Sequence, residues 1–326
     1  MALDFHTYVQ TRSFLERLRK RSGYPRIEQV NGREAILAGP GTARPVRPEQ
    51  NDIEARLAAM DAAGIKAQIL RLQNVSGVDA FDPSEGLEIA QAANEELGQV
   101  ARRFPGRFIP FATVTMRDPA AAAKELERAV TQLGHRGVGL SAGCEGDLLD
   151  SPRYEEIFAT AARLRVPVFI LPNHPSTIDA ALEPYDWLSG AFGFQVDLSV
   201  VALRLVCAGT LDRHPDLNVI IANLGGVFTL AVQRLDHFWE RMNAGVRPIP
   251  VRPSVALRRF HIGTASAHPA SILMAARVMG ADRLVFGSDY PSFPFDIAIN
   301  AVRNCGLAPD EVESVLSGNG RKLLAR

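Results

Sequence analysis

The stretch RLVFGSDYPSFP, residues 283–294, contains a short apolar run that ends on an acid. The apolar residues 284–286 predict a buried strand, and Gly287 with Ser288 allows the backbone to turn after it. Asp289 then follows at the end of the strand, where a carboxylate needs a metal, a proton or a cation as its partner. The fold depends on how many such strands the chain contains, and the function depends on what surrounds this acid.

Seven further apolar runs of strand length alternate with amphipathic stretches of helix length. The eight predicted strands cover residues 2–5, 67–72, 108–114, 137–140, 166–171, 218–223, 259–263 and 283–287. Asp52 and Gly64 are typical caps for the two ends of one intervening helix, and Asp118 with Pro119 begins another. A doubly wound sheet usually has about five to seven strands, so eight βα units predict an α/β protein with a single (β/α)8 TIM barrel over residues 1–326.

Residues 10–50 interrupt this alternation. A basic helical piece is followed by RIEQVNGREAIL, residues 26–37, in which Asn31-Gly32 separates two strand-like halves. Asn-Gly is the favoured two-residue hairpin turn. We therefore predict a small insertion after the first strand, at about residues 10–50, with a hairpin that covers the mouth of the barrel.

The composition is that of an ordinary globular enzyme. The 326 residues include 36 Lys plus Arg and 36 Asp plus Glu, so the formal net charge is zero and gives no support for nucleic acid or an anionic membrane as a partner. The 3 cysteines are too few for a disulfide framework. The N-terminus lacks the features of a signal peptide, and no apolar run approaches about 18 residues. We expect a cytoplasmic protein that acts on a small molecule, without a nucleic-acid or membrane partner.

Four motifs connect the chain to a known family. They are LDFHTY (3–8), GTLDRHPDLNVIIANLGG (209–226), ADRLVFGSDYP (281–291) and SGNGRKLL (317–324). Together with residues 150–172, they resemble amidohydrolase family 2 of the amidohydrolase superfamily, the relatives of aminocarboxymuconate-semialdehyde decarboxylase. The resemblance implies a TIM barrel with its chemistry at the C-terminal ends of the strands, in agreement with the strand count.

The resemblance also implies one divalent metal, held by an HxH pair after strand one, one His after each of strands five and six, and an Asp after strand eight. His6 and Asp289 are kept, whereas Tyr8, Leu171 and Asn223 stand at the other three positions. A catalytic Zn²⁺ normally has three protein ligands of His or carboxylate type. We therefore predict a degraded metal site and no cofactor.

One alternative retains a metal. His174 lies in the loop that follows Leu171, and this loop could bring an imidazole to the vacated position. His6, His174 and Asp289 would then form a set of ligands for one divalent metal such as Zn²⁺.

Without a metal, His6 and Asp289 are candidates for acid-base catalysis, because an unperturbed His exchanges protons near pH 6.5 and a carboxylate can act as base or acid. Tyr8 and Asn223 are candidates for stabilising a developing oxyanion, with simple cavity filling as the alternative. His174 is a further catalytic candidate, and the alternative for it is a polar residue in a proline-bounded turn.

Two arginines and one histidine are candidates for substrate binding. Arg71 interrupts the apolar second strand near the barrel mouth, and Arg234 stands at a position resembling a family arginine that reaches the substrate carboxylate of a neighbouring subunit. This second likeness implies a homodimer. The guanidinium fork suits a carboxylate, although salt bridges are the alternative for both arginines. His268 follows strand seven closely enough to face the mouth.

These features predict a metal-independent hydrolase of the amidohydrolase superfamily that uses acid-base catalysis on a small carboxylated cyclic or unsaturated substrate. The first alternative is a metal-dependent non-oxidative decarboxylase, a carboxy-lyase, which is the chemistry of the decarboxylase-like family members. The second alternative is a catalytically inactive barrel that binds a ligand.

Overall fold

Parallel strands, most of them separated along the chain by helices, form the framework of the molecule. The computed structural model describes residues 1–39, 43–73, 77–173, 176–246, 249–265 and 267–325. The strands are β1 (Ala2–Asp4), β2 (Arg26–Val30), β3 (Arg33–Leu37), β4 (Arg44–Pro45), β5 (Ile65–Leu70), β6 (Phe108–Pro110), β7 (Ala112–Thr113), β8 (Val138–Ser141), β9 (Gly143–Cys144), β10 (Asp147–Leu148), β11 (Val168–Leu171), β12 (Val219–Ile221), β13 (His261–Gly263) and β14 (Leu284–Val285).

Helices of very different length lie between these strands and after the last one. They are α1 (Arg12–Arg19), α2 (Ile53–Ala63), α3 (Pro83–Arg103), α4 (Pro119–Gln132), α5 (Glu155–Leu164), α6 (Asp179–Leu182), α7 (Phe194–Cys207), α8 (Thr210–Arg213), α9 (Phe228–Arg241), α10 (Pro253–Leu257), α11 (Pro269–Met279), α12 (Phe295–Arg303), α13 (Pro309–Glu313) and α14 (Asn319–Leu324). The predicted caps are present, since the Asp52 side chain accepts from Ala55 N at 2.8 Å and the Asp118 side chain accepts from Ala121 N at 3.0 Å.

The parallel strands form two sheets whose order follows the chain. One sheet has the order β1-β5-β6 and the other has the order β14-β13-β12-β11-β8-β7. All eight predicted strands are present, because residues 108–114 contain both β6 and β7. Phe5 N donates to Phe286 O at 2.8 Å, and Asp289 N donates to His6 O at 2.8 Å. The carboxyl ends of β1 and β14 therefore meet.

The strands are apolar because both of their faces are covered. All four residues of β11, Val168–Leu171, are buried, as expected for a parallel strand enclosed on both sides. Buried side chains of α7, among them Val201 and Leu205, belong to the same hydrophobic core. The helical stretch Ser189–Cys207 is long and apolar enough to span a bilayer by length and composition, although we expected no apolar run near that length. Its buried side chains are those of a core helix, which makes length and composition weak evidence for a membrane span.

The predicted hairpin is formed by β2 and β3, which pair antiparallel. Its turn residues Asn31 and Gly32 have φ values of 52° and 74°, the left-handed conformation that both central residues of a type I′ turn require. Ile36 of β3 is buried against a small second core that includes Phe14 of α1. The hairpin is thereby attached to the body of the protein by apolar packing.

A buried histidine makes stability depend on pH. His261 in β13 is buried, and its Nδ1 has no hydrogen-bond partner among the described residues. Burial, followed by the positive charge of Arg283, lowers its pKa to about 4. The unfolded chain binds this proton near pH 6.5, so the stabilising contribution is present above that pH and is lost as the pH falls towards 4.

We expect His261→Leu to reduce the loss of stability in acid. Between pH 7.5 and 4.5, the free energy of unfolding of the wild type should fall by about 2 kcal/mol more than that of the variant, measured by urea unfolding. The control His237→Leu changes an exposed residue of α9 and should follow the wild-type pH dependence. Parallel curves for His261→Leu and the wild type would contradict the assignment.

Candidate active site

A cavity of about 200 Å³ lies at the carboxyl ends of the parallel strands. Five of the predicted site residues line it: His6, Tyr8, Arg71, Asn223 and Asp289. They come from four separate parts of the chain: His6 and Tyr8 follow β1, and Arg71, Asn223 and Asp289 follow β5, β12 and β14. We call this space the site cavity.

His6 and Asp289 face each other across the site cavity. His6 Nε2 lies 3.6 Å from Asp289 Oδ1, and the two side chains are 6% and 23% exposed. The His6 ring packs edge-on against Phe169 of β11, with the ring centroids 5.2 Å apart. A separation of 3.6 Å is too long for a hydrogen bond. It is a normal distance between two atoms that bind one ion, each at about 2.1 Å.

The environment of His6 keeps its imidazole neutral. Burial and, in addition, the positive charge of Arg71 lower the pKa of His6 to about 3. A neutral imidazole can bind a metal or accept a hydrogen bond, but it cannot donate a proton as a general acid near pH 7. The expectation that His6 exchanges protons near neutral pH was therefore wrong, because it assumed the pKa of an exposed histidine.

Arg71 is a buried cation in the wall of the site cavity. It is 2% exposed, its Nη1 donates to Leu72 O at 3.3 Å, and its Nε has no partner in the part of the chain that the structure describes. Burial lowers its pKa to about 10, while the charge of Asp289 acts in the opposite direction. The guanidinium therefore stays charged at neutral pH. Gly139 makes room for it, since a Cβ there would lie 3.2 Å from Arg71 Cδ.

Left-handed backbone turns direct two of the site residues. Asp289 has φ 61° and Asn223 has φ 48°, a conformation that is uncommon for residues other than glycine and that often marks functional positions. Ser292 N donates to Asp289 O at 2.8 Å and thereby closes the turn around the acid. The buried Oδ1 of Asn223 has no hydrogen-bond partner among the residues described. Asn223 thus offers an acceptor atom, whereas the sequence suggested a donor.

Several polar residues that line the site cavity were not predicted from the sequence. Gln10 Nε2 donates to Gln73 Oε1 at 2.9 Å, and both residues line the cavity together with Arg44 of β4. Gln73 lies two positions after Arg71, so strand periodicity could have placed the two side chains on one face. Arg44 had no comparable signal, because its position depends on how the hairpin folds over the strands.

Two predicted site residues lie outside the site cavity, and a third is not among the described residues. Arg234 is exposed on α9, where its guanidinium lies 4.9 Å from the centre of the Phe238 ring. His268 is exposed and caps α11 by accepting from Ala270 N at 3.2 Å. His174 lies outside the described residues, so its catalytic role and the alternative metal set that includes it stay predictions.

The site cavity contains two side chains suited to hold a metal ion, His6 and Asp289. Within the described ranges, no cluster contains three His, Cys, Asp or Glu side chains suited to hold one. His6 and Asp289 are nevertheless spaced as two ligands, and the Asn223 amide oxygen lines the same cavity. Carboxylate and carbonyl oxygens suit Mn²⁺, and imidazole is a common nitrogen ligand. The site therefore fits an ion whose remaining positions are filled by water or substrate.

A polar cavity at the carboxyl ends of parallel strands is the usual active site of an α/β enzyme. The amidohydrolase family model matches residues 4–326, and the chain belongs to that family. It is 33% identical to γ-resorcylate decarboxylase of Rhizobium radiobacter over 288 residues, which cover 83% of this chain and 86% of that protein. It is 26% identical to 2-amino-3-carboxymuconate-6-semialdehyde decarboxylase of Dictyostelium discoideum, over 74% of this chain and 67% of the relative. The family resemblance is thereby confirmed.

A solved structure corrects two predictions. The dihydroxybenzoic acid decarboxylase of Polaromonas sp., crystallised with manganese and the inhibitor 2-nitroresorcinol, superposes with a TM-score of 0.84 at 25% identity and covers 99% of this chain and 96% of that chain. The predictions of a metal-independent hydrolase and of no cofactor were therefore wrong. They counted missing imidazoles at Tyr8, Leu171 and Asn223, although an ion such as Mn²⁺ accepts oxygen ligands as well.

We expect Arg71→Met to weaken the binding of a carboxylate. A hydrogen bond to a charged group contributes about 1.5–3 kcal/mol, so the Kd of benzoate, measured by titration calorimetry, should rise roughly 10–100-fold. The control Arg163→Met removes an exposed arginine of α5 that pairs with Glu127, and its Kd should equal that of the wild type. Unchanged benzoate affinity in Arg71→Met would show that Arg71 has only a structural role.

Proposed function

We propose that this protein catalyses non-oxidative decarboxylation of a small aromatic carboxylic acid that carries a phenolic hydroxyl. One observation supports the proposal most strongly: the buried cation Arg71 lines the same cavity as the facing pair His6 and Asp289. A fixed positive charge next to a carboxylate and a neutral imidazole suits an anionic substrate. The names of the decarboxylases that the chain is similar to point to the same class of substrate.

We also propose that the two parallel sheets close into one (β/α)8 barrel and that residues 10–50 are an insertion over its mouth. The strand order runs without interruption from β1 to β14 if β6 and β7 adjoin, and an isolated parallel bridge joins Thr7 to Tyr290 beyond the two outer strands. Ile36, Arg44 and Pro45 from the hairpin region line the site cavity. This placement supports a role for the insertion in covering the substrate.

The site cavity offers both apolar and polar contacts to a flat ring. Leu171, Pro172 and Phe194 provide apolar walls that suit the faces of an aromatic ring. The substrate carboxylate binds to Arg71, where a guanidinium can donate two parallel hydrogen bonds. Tyr8, whose hydroxyl lies 2.9 Å from Ser292 Oγ, is available for the phenolic oxygen.

His6 and Asp289 would hold a divalent ion, with the Asn223 amide oxygen as a third donor. When bound, such an ion supplies positive charge that orients and polarises the oxygens of an anionic substrate. Arg71 meanwhile keeps the anion in place from its buried position in the cavity wall. The apolar walls exclude water and thereby strengthen these electrostatic contacts.

Loss of CO₂ from an aromatic acid requires a proton at the ring carbon that carries the carboxylate. His6 cannot supply it, since its pKa is lowered to about 3. Asp289 is the remaining carboxyl group that lines the described part of the cavity, and we assign it this role through its Oδ2. The new C–H bond takes the proton from Asp289, the electrons of the broken C–C bond restore the aromatic ring, and CO₂ leaves. Solvent then protonates Asp289 again.

The proposal is tested by incubating the protein, loaded with Mn²⁺, with 2,6-dihydroxybenzoate, 5-carboxyvanillate and 6-methylsalicylate. We expect release of CO₂ and the decarboxylated phenol from at least one of them, followed by chromatography, and loss of activity after treatment with a chelator. A simple lactone serves as the hydrolysis control and should not react. Tight binding of the acids without turnover would instead support a ligand-binding barrel and would reject the enzyme.

Asp289→Asn should reduce kcat at least about 100-fold, because an amide cannot donate the proton in the way a carboxyl group does. The measurement is the rate of CO₂ release at saturating substrate. The matched control Asp296→Asn alters an exposed residue in the first turn of α12 and should leave kcat within about twofold of the wild type. Full activity in Asp289→Asn would exclude Asp289 as the proton donor.

A further inference from the structure

A buried carboxylate lies directly behind the His6 and Asp289 pair. Asp4 is the last residue of β1, is completely buried, and is not among the residues that line the described part of the site cavity. It cannot touch a substrate there. We infer that Asp4 is a positioning residue, whose carboxylate holds the ends of β1 and β14 together and thereby sets the separation of His6 and Asp289.

Asp4 accepts hydrogen bonds from both sides of this junction. Its Oδ1 accepts from His6 N at 3.2 Å and from Ser288 N at 2.9 Å. Its Oδ2 accepts from Ser288 Oγ at 2.6 Å and from Gln68 Nε2 at 3.1 Å. One oxygen atom therefore binds the backbone of His6 and the residue just before Asp289 at the same time.

Ser288 passes this constraint on to the turn that carries Asp289. While its hydroxyl donates to Asp4, its Oγ accepts from Tyr290 N at 3.0 Å. The two residues that flank Asp289 are thus both attached to the Asp4–Ser288 pair. Since Asp289 itself is held at φ 61°, its carboxylate direction depends on these flanking bonds.

A second layer supports Asp4 from β5 and α2. Gln68 Oε1 accepts from Arg56 Nη1 at 3.4 Å, and Arg56 Nη2 donates to Tyr8 O at 2.8 Å and to Glu49 O at 3.1 Å. Asp4, Gln68 and Arg56 are all fully buried. The network therefore connects the junction to the backbone of a residue that lines the cavity, Tyr8, and to the end of the insertion.

Only an acceptor group with two oxygens satisfies this arrangement. All four groups around Asp4 donate to it, so an amide in its place would direct an N–H₂ group at donors and leave at least one of them buried without an acceptor. A misplacement of about 1 Å between reacting groups can reduce a rate on the order of 100-fold. Asp4 is therefore expected to affect the rate of the reaction more than the binding of substrate.

The experiment compares Asp4→Asn with Glu125→Gln, which removes another buried carboxylate. Glu125 lies on α4, where it accepts from Asn94 Nδ2 at 2.7 Å and pairs with Arg128. With the decarboxylation assay, kcat of Asp4→Asn should fall roughly 10–100-fold with KM within about twofold. Glu125→Gln should lower the melting temperature but keep the wild-type kcat for its folded fraction. A wild-type kcat for folded Asp4→Asn would overturn the inference.

Two further variants extend the test, and the first of them keeps it decisive if Asp4→Asn does not fold. Ser288→Ala removes one bond to Asp4 and should reduce kcat about threefold, on the order of one neutral hydrogen bond or less. The double variant Asp4→Asn with Ser288→Ala should lose no more than Asp4→Asn alone, because both act through one contact. Unchanged kcat in Ser288→Ala, or losses that multiply in the double variant, would contradict positioning through Ser288.

The kcat measurements depend on the proposed decarboxylation, whereas a structural measurement does not. Crystal structures of the wild type, Asp4→Asn and Glu125→Gln give the His6 Nε2–Asp289 Oδ1 distance, which is 3.6 Å here. We expect this distance to change by more than about 0.5 Å in Asp4→Asn only. If no acid is decarboxylated by the wild type, the proposed function fails while this measurement still decides the role of Asp4. An unchanged distance would overturn it.

Discussion

The contact between the first strand and the segment after the last strand is the constraint on which the site depends. Backbone hydrogen bonds join Phe5 to Phe286 and His6 to Asp289, although these residues are separated by almost the whole chain. Long-range contacts of this kind are costly in loop-closure entropy and depend on the topology of the whole chain. The two groups that face each other in the site cavity are therefore products of the complete fold and not of a local motif.

Burial strongly affects the charge states of Arg71 and His6 near this junction. Arg71 stays cationic although it is 2% exposed, whereas His6 is kept neutral by the same lack of solvent and by the nearby guanidinium. The Arg71 guanidinium attracts an anion to the site cavity, but it also opposes the binding of a second cation. If the proposed function holds, an anionic substrate compensates the positive charges of Arg71 and of a metal, so that metal binding and substrate binding are coupled.

The strand pattern could be predicted from the sequence because parallel strands that are buried on both faces are continuous apolar runs. The hairpin was readable because Asn31-Gly32 satisfies the demand of its turn for two positive φ values. Arg71 was predicted to lie near the barrel mouth because a charge inside a buried strand needs polar surroundings, and it lines the site cavity. These inferences all rest on local chemistry.

The remaining features depend on contacts that no local pattern reveals. The low pKa of His6 follows from its burial beside Arg71, and Arg44 enters the site cavity through the packing of a separate hairpin. Asp4 lies in the LDFHTY motif, but its role depends on Ser288 at the other end of the chain. The prediction of no cofactor was wrong because it relied on missing imidazoles and left out oxygen donors, such as the Asn223 amide, that the fold brings into the site cavity.

The small residue at position 139 also constrains how this site can arise or be changed. Arg71 passes so close to Gly139 that even a methyl group there would lie 3.2 Å from its Cδ. A bulkier, branched side chain would displace the guanidinium from the wall. In a related scaffold with a large residue in the neighbouring strand, an arginine introduced at position 71 alone would have no space. The large residue in the neighbouring strand would have to be replaced by a small one before, or together with, the introduction of the arginine.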